Sequence, residues 1–207
     1  MNDGFGGGDL LEQNLVFSTC RESGDHGPFN SWDRQPFLTT VRTGEPSMQM
    51  EWREIRNNFF VDQYSMQENV DNDDGSGWYY THDNFFVYGE QGMKNDFGGH
   101  DNHHVGNIYA YVGHALGVCT QLDGHEDVFE NNRVVMTGSD VGGVQCQAPG
   151  KTKMGNNQYY TPDGNLTECS KSLADWQAAG SDNEPNSTVA TIPSDSEIIS
   201  WARDLLF

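Results

Sequence analysis

The feature that most limits what this chain can fold into is a short phrase that keeps returning: an asparagine followed by mostly apolar residues. It reads NLVF from Asn14, NFFV from Asn58, NFFV from Asn84, NIYA from Asn107, NRVV from Asn132 and NQYY from Asn157. The intervals are 44, 26, 23, 25 and 25 residues. The first is close to two of the others, which predicts a coil between Asn14 and Asn58 that has lost the phrase. A period near 25, with short alternating strands separated by Gly, Asn and Asp turns, is the pattern of a parallel β-solenoid. Helical repeats would show a helical period, and propeller blades need about 40–50 residues. Asparagine suits one fixed place per coil because it tolerates left-handed backbone and can hydrogen-bond to the same position in the next coil.

Composition supports this reading. The 24 glycines, 35% hydrophobic residues and 12% aromatics fit a turn-rich β protein better than a helical one. A net charge of −20 argues against a nucleic-acid partner, whose phosphates need Lys and Arg to displace counterions. It argues more weakly against any polyanionic substrate. No apolar run approaches the roughly 18–20 residues that span a bilayer, so no membrane segment is expected. The first residues lack the basic-then-apolar order of a leader peptide. Cys20, Cys119, Cys146 and Cys169 form neither a CxxC pattern nor a dense disulfide framework. One disulfide is conceivable, but alternation sends Cys119 and Cys146 to opposite faces, so those two are not expected to pair. Sequons at Asn165 and Asn186 are compatible with secretion.

Three phrases, CRESGDHGPFNSWDR (20–34), NDDGSGWYYTHDNFFVYGEQGMKNDFGGHDNHHVGNIYAYV (72–112) and GHEDVFENNRVVMTG (124–138), resemble segments of the right-handed parallel β-helix proteins of the pectate-lyase-like superfamily. The resemblance covers roughly residues 10 to 165. It implies an all-β, right-handed parallel β-helix of about six coils over 1–165, and a secreted protein that acts on polysaccharide. That superfamily contains lyases, hydrolases, epimerases and non-catalytic adhesins, so fold alone does not select a chemistry.

Residues 166–207 read differently, as a linker and a C-terminal capping helix. A short helical phrase covers Leu173–Ala179. A second helix begins after Ser194, with Glu197 at the capping-box position and an apolar face of Ile198, Ile199, Trp201, Ala202, Leu205 and Leu206. A solenoid exposes core and strand edge at its last coil, and this tail is expected to cover that end.

Stacking the coils locates a candidate site. Aligning VDNDDG from Val70, MKNDFG from Met93, VCTQLD from Val118 and VQCQAP from Val144 sends those four leading residues inward. Asp71, Lys94, Cys119 and Gln145 then point outward, as do Asp73, Asp96, Gln121 and Gln147. Trp32 joins the same face from the preceding coil. Asp73 and Asp96, on adjacent strands, would approach the roughly 5–5.5 Å used by retaining glycosidases. Like charges at that spacing resist joint ionisation, which would supply an acid beside a nucleophile. Asp71 and Lys94 would tune the pair, while His26, Trp32, Asp33 and Arg34 would bind sugar, the indole by stacking on a ring face. A second register, GHDN at 99–102 and GHED at 124–127, stacks His100 on His125 and Asp101 on Glu126. His100, His125 and Glu126 are therefore further substrate-binding candidates. The alternative is a charge-balanced, solvated ladder without chemistry.

No metal-ligand set is assigned and no cofactor is required. Calcium is a weaker possibility: NVDNDDGSG is rich in carboxylates, but its glycine is misplaced for an EF-hand and no Glu closes the loop. The expected function is an extracellular glycoside hydrolase acting on a polysaccharide. A uronate lyase or epimerase, and a non-catalytic glycan-binding or structural solenoid, are the alternatives.

Overall fold

A computed structural model describes residues 2–3, 7–21, 24–32, 51–61, 67–119, 124–144, 146 and 152–207. The Asn phrase forms strands at Leu15–Phe17, Phe59–Val61, Phe85–Val87, Ile108–Val112, Arg133–Met136 and Gln158–Thr161, which pair in parallel with Thr188–Thr191 as a seven-stranded sheet. Two six-stranded parallel sheets complete the coil. The first sheet holds Asn2–Asp3, Phe29–Ser31, Glu68–Asn72, Gln91–Asn95, His114–Val118 and Gly142–Gly143. The second holds Leu10–Glu12, Arg53–Arg56, Tyr79–His82, His103–Val105, Val128–Glu130 and Lys153–Gly155. The protein is a parallel β-solenoid. Four successive coils carry a strand of three or more residues in every sheet; the first and last give the first sheet only Asn2–Asp3 and Gly142–Gly143. The expected six coils are thus about four full turns with a short one at each end.

The asparagines build the spine. Each Oδ1 accepts the backbone N–H of the asparagine one coil below it in sequence: Asn14 to Asn58 (2.9 Å), Asn58 to Asn84 (3.0 Å), Asn84 to Asn107 (3.0 Å), Asn107 to Asn132 (2.9 Å) and Asn132 to Asn157 (2.9 Å). Each Nδ2 from Asn58 onward also reaches a main-chain carbonyl, those of Leu11, Ile55, Thr81, His104 and Phe129. The ladder satisfies buried turn amides that no strand partner reaches. It ends on Ser187, whose Oγ accepts the Asn157 N–H at 2.9 Å, and on buried Glu184, which takes the Tyr159 hydroxyl at 2.5 Å. The direct Asn14–Asn58 bond shows that the 44-residue interval is one coil with an insertion between Phe29–Ser31 and Arg53–Arg56, not two coils.

Alternation sets what lies inside. After each Asn, the second residue points in, so Phe60, Phe86 and Tyr109 stack with centroids 4.9 and 5.0 Å apart, and Phe129 of the second sheet meets Tyr109 at 5.8 Å. His104 is sealed in this core with Nδ1 2.6 Å from the Tyr109 hydroxyl. Burial pushes its imidazole down to about 3, with His103 adding to the effect, so it stays neutral.

The residues on either side of that inward position are apolar in most coils (Phe59, Val61, Phe85, Val87, Ile108, Ala110), so the third sheet needs cover outside as well. The helix α2 (Asp195–Leu206) supplies it, burying Ile198 and Ala202 against Phe85, Ile108, Ala110 and Val135. Ser194 caps it by accepting the Glu197 N–H, as expected from the sequence. The C-terminal helix expected from the sequence is thus present, seated on a sheet face, the largest apolar surface it can cover. Before it, α1 (Leu173–Ala179) and the turn leading to it place Leu166 and Leu173 in the interior cluster and bury Trp176. A disulfide links Cys146 to Cys169, and Cys20 and Cys119 take no part in it.

Candidate functional site

The first sheet brings the candidate residues into two columns. Phe29 pairs with Val70, Val70 with Met93 and Met93 with Leu116, all inward. The next column is therefore Asn30, Asp71, Lys94 and Gly117. Two residues further on, at the strand ends, Asp73 donates its N–H to Ser31 O (2.8 Å), Asp96 to Asn72 O (2.9 Å) and Cys119 to Asn95 O (3.0 Å). That sets Trp32, Asp73, Asp96 and Cys119 side by side. The third segment is therefore slipped by two residues from the sequence alignment: Val118 stands opposite Asn95, not Met93, and Cys119 flanks Asp96, not Lys94. Gly142 lies opposite Leu116, which carries Val144 along with Val118. A slip of two keeps every side chain on its face, so alternation cannot detect it. Thr120, Gln121, Gln145 and Gln147 lie outside the described residues, as do the proposed sugar contacts Asp33 and Arg34.

The acidic residues sit on paired turns. In Asp73-Asp74-Gly75-Ser76 and Asp96-Phe97-Gly98-Gly99, each Asp carbonyl accepts the N–H three residues on, at 2.9 and 2.8 Å. Each Asp Oδ1 also takes the next N–H, at 2.8 and 3.1 Å. Gly75 and Gly98 have φ of +78° and +76°, the left-handed backbone that glycine enters without strain. One turn rests on the other through Gly75 N–H to Phe97 O at 3.0 Å.

Lys94 is the hub. Its Nζ lies 2.9 Å from Asp71 Oδ1, 3.2 Å from Asp96 Oδ2, 3.9 Å from Glu68 Oε1 and 4.0 Å from Asp73 Oδ1. Burial alone would lower the ammonium pKa, but Asp71 and the other carboxylates hold it above its ordinary value. Asp71 is fully buried, with Oδ2 accepting from Asn30 Nδ2 at 2.8 Å and 3.4 Å from His26 Nδ1. Sealed from solvent, it meets Lys94, Asn30 and His26 rather than the open face. Asp73 and Asp96 keep 26% and 13% of their side chains open to solvent. Their carboxylate oxygens, with one from Asp74, lie within 4.8 Å of one another. Trp32, 48% exposed, stands beside Asp73. The Cys119 thiol is pushed up to about 11 by burial and its hydrogen bond to Asp96, which makes it a poor nucleophile.

Two features escaped sequence reasoning. Glu68 is sealed beneath Lys94, and its carboxyl is pushed up to about 8, mainly by burial and further by Asp71, Asp25 and Asp96, with Lys94 opposing. Its Oε2 has no hydrogen-bond partner among the described residues. Alternation groups Glu68 with inward Val70, so nothing in the pattern pointed to Lys94. The second feature is aromatic. Trp52 and Trp78 both stand six residues before a ladder asparagine, a signal visible in the sequence. They meet at 5.0 Å edge-to-face, and Trp52 also contacts Tyr80 (6.2 Å) and His103 (4.7 Å) on the outer face of the second sheet.

The histidine register holds. Gly77 bridges His100, and His103 pairs with Val128, which sets His125 beside His100 and Glu126 beside Asp101. Their rings are 4.4 Å apart, and both Nδ1 atoms are committed to Asp101.

Comparison with protein-family models, curated proteins and solved structures finds no match to this chain.

Proposed function

We propose that this chain is an extracellular, pectate-lyase-like solenoid that hydrolyses a polysaccharide at Asp73 and Asp96. The observation that carries the reading is the pair itself: two partly open carboxylates within 4.8 Å, on stacked turns, flanking one ammonium and one exposed indole. Asp96, ion-paired with Lys94 at 3.2 Å, is the anionic nucleophile. Asp73, at 4.0 Å and more open, donates the proton to the leaving oxygen and later activates water. Trp32 supplies a ring face to the sugar, and His26 braces Asp71 from the same side. Asp71 and Glu68 hold Lys94 in place. The Cys146–Cys169 disulfide fits an oxidising, extracellular setting.

A second reading is favoured by one specific feature: Lys94 lies within 4.0 Å of four carboxylates, so the ammonium is held in a network of ion pairs. On that reading the face binds glycan without cleaving it, helped by Trp52, Trp78 and Tyr80. The test is incubation with neutral and uronic-acid polysaccharides, with and without calcium, followed by reducing ends and by the ultraviolet absorbance of unsaturated uronate. Reducing ends without absorbance, lost in Asp73→Asn and Asp96→Asn, support the hydrolase. Absorbance would replace it with a lyase, and binding without turnover with the glycan-binding solenoid.

A further inference from the structure

We propose that His100, Asp101 and His125 form a binding site for a divalent transition-metal ion of the zinc type, clamped between adjacent coils at the start of the second sheet. Three ligand atoms already converge there. His100 Nδ1 lies 2.7 Å and His125 Nδ1 2.5 Å from the same oxygen, Asp101 Oδ2, and all three atoms fall within 4.8 Å of one another. Tetrahedral zinc, with bonds of about 2.0–2.1 Å, sets its ligand atoms about 3.3 Å apart. The two Nδ1–Oδ2 distances need to lengthen by less than about 1 Å to admit it, and the two Nδ1 atoms, within 4.8 Å of each other, to settle at the same spacing. One carboxylate oxygen is shared by both imidazole Nδ1 atoms. A divalent ion takes the place of the protons between them.

The donor set chooses the ion. Two imidazole nitrogens and one carboxylate oxygen suit zinc, cobalt or nickel, whereas calcium and magnesium select oxygen alone. In this respect the site differs from the all-oxygen cluster of Asp73, Asp74 and Asp96, where Lys94 already pairs with Asp96 at 3.2 Å.

The fold holds each ligand in place. His100 is 2% exposed, its ring seated above Gly77, where a Cβ would stand 3.1 Å from Cε1 and 3.2 Å from Nε2. Asp101 takes a φ of +55°, and its Oδ1 lies 3.5 Å from the Glu126 N–H. Such outer contacts fix the orientation of a ligand. His125 is 38% exposed, so the fourth position of the ion opens to solvent, as in hydrolytic zinc sites with three protein ligands.

The experiment uses the full chain after dialysis against chelator, titrated calorimetrically with zinc alone and spectroscopically with cobalt alone. The expected result is one equivalent of ion bound, with the intense visible bands of tetrahedral cobalt. His125→Ala, His125→Gln and Asp101→Asn should each weaken binding by about 100-fold, while His103→Ala leaves it unchanged. Far-ultraviolet circular dichroism checks that each variant keeps the solenoid. No zinc binding by the parent chain, or stoichiometric binding that survives His125→Ala and His125→Gln, overturns the proposal.

Discussion

Asn84 and Asn107 are one strand apart: the Oδ1 of Asn107 accepts both the backbone N–H and the Nδ2 of Asn84, each at 3.0 Å, with both side chains buried. Asn107 in turn donates to Thr81 O at 2.8 Å. Removing this rung takes the partner from the buried Asn84 N–H and from Thr81 O, while Asn84 Nδ2 keeps Ile55 O and His82 O. Asn107→Ala is expected to cost about 2–4 kcal/mol in urea unfolding. Asn14→Ala, at the exposed first rung, should cost less than about 1 kcal/mol, because the Asn14 N–H still reaches Asn58 Oδ1. Equal losses at both positions would contradict the ladder.

Glu68 makes stability depend on pH. Its carboxyl titrates near 4.5 when free and near 8 in the fold, so the native state holds a proton that the unfolded chain releases. Stability from this group is full below about pH 4.5 and declines as pH rises toward about 8. Glu68→Gln, which mimics the protonated acid, should raise stability by about 1–3 kcal/mol near pH 8 and change little near pH 4.5. Thermal melts across that window read the difference directly.

Reducing the Cys146–Cys169 bond, which closes 23 residues of separation, is expected to cost roughly 2–4 kcal/mol. The check is a melt with and without reductant. Cys20→Ser with Cys119→Ser should leave that difference intact.

The outer cover predicts a further cost. Ile198→Ala removes a buried side chain between α2 and the third sheet and should destabilise by about 2–4 kcal/mol. The Asn ladder lies on the other side of that sheet's strands. Amide exchange should therefore rise in α2 before it rises at Asn84 and Asn107.

For catalysis, Asp96→Asn should reduce turnover by at least about 10³-fold, and Asp73→Asn likewise except on substrates with activated leaving groups. Trp32→Ala should raise KM more than it lowers kcat. These values come from the same reducing-end assay.

Much of the fold was legible in one column of residues. The recurring asparagines determined the coil, its period and its parallel strands, because a solenoid repeats one local solution and that repetition is written along the chain. The cap of α2 was equally local, as Ser194 and Glu197 illustrate. Inward and outward faces followed from alternation, and with them the meeting of Asp73, Lys94 and Asp96. What alternation could not set was register: a slip of two residues at His114–Val118 moved Cys119 from Lys94 to Asp96 without turning any side chain over. The direct stacking of Asn14 on Asn58 was hidden by an insertion. Burial of Glu68 and Asp71, the placement of α2 on a sheet face, and the pairing of Cys146 with Cys169 were decided only in three dimensions. Each depends on which distant surfaces compete to exclude water, and that competition has no period in the sequence.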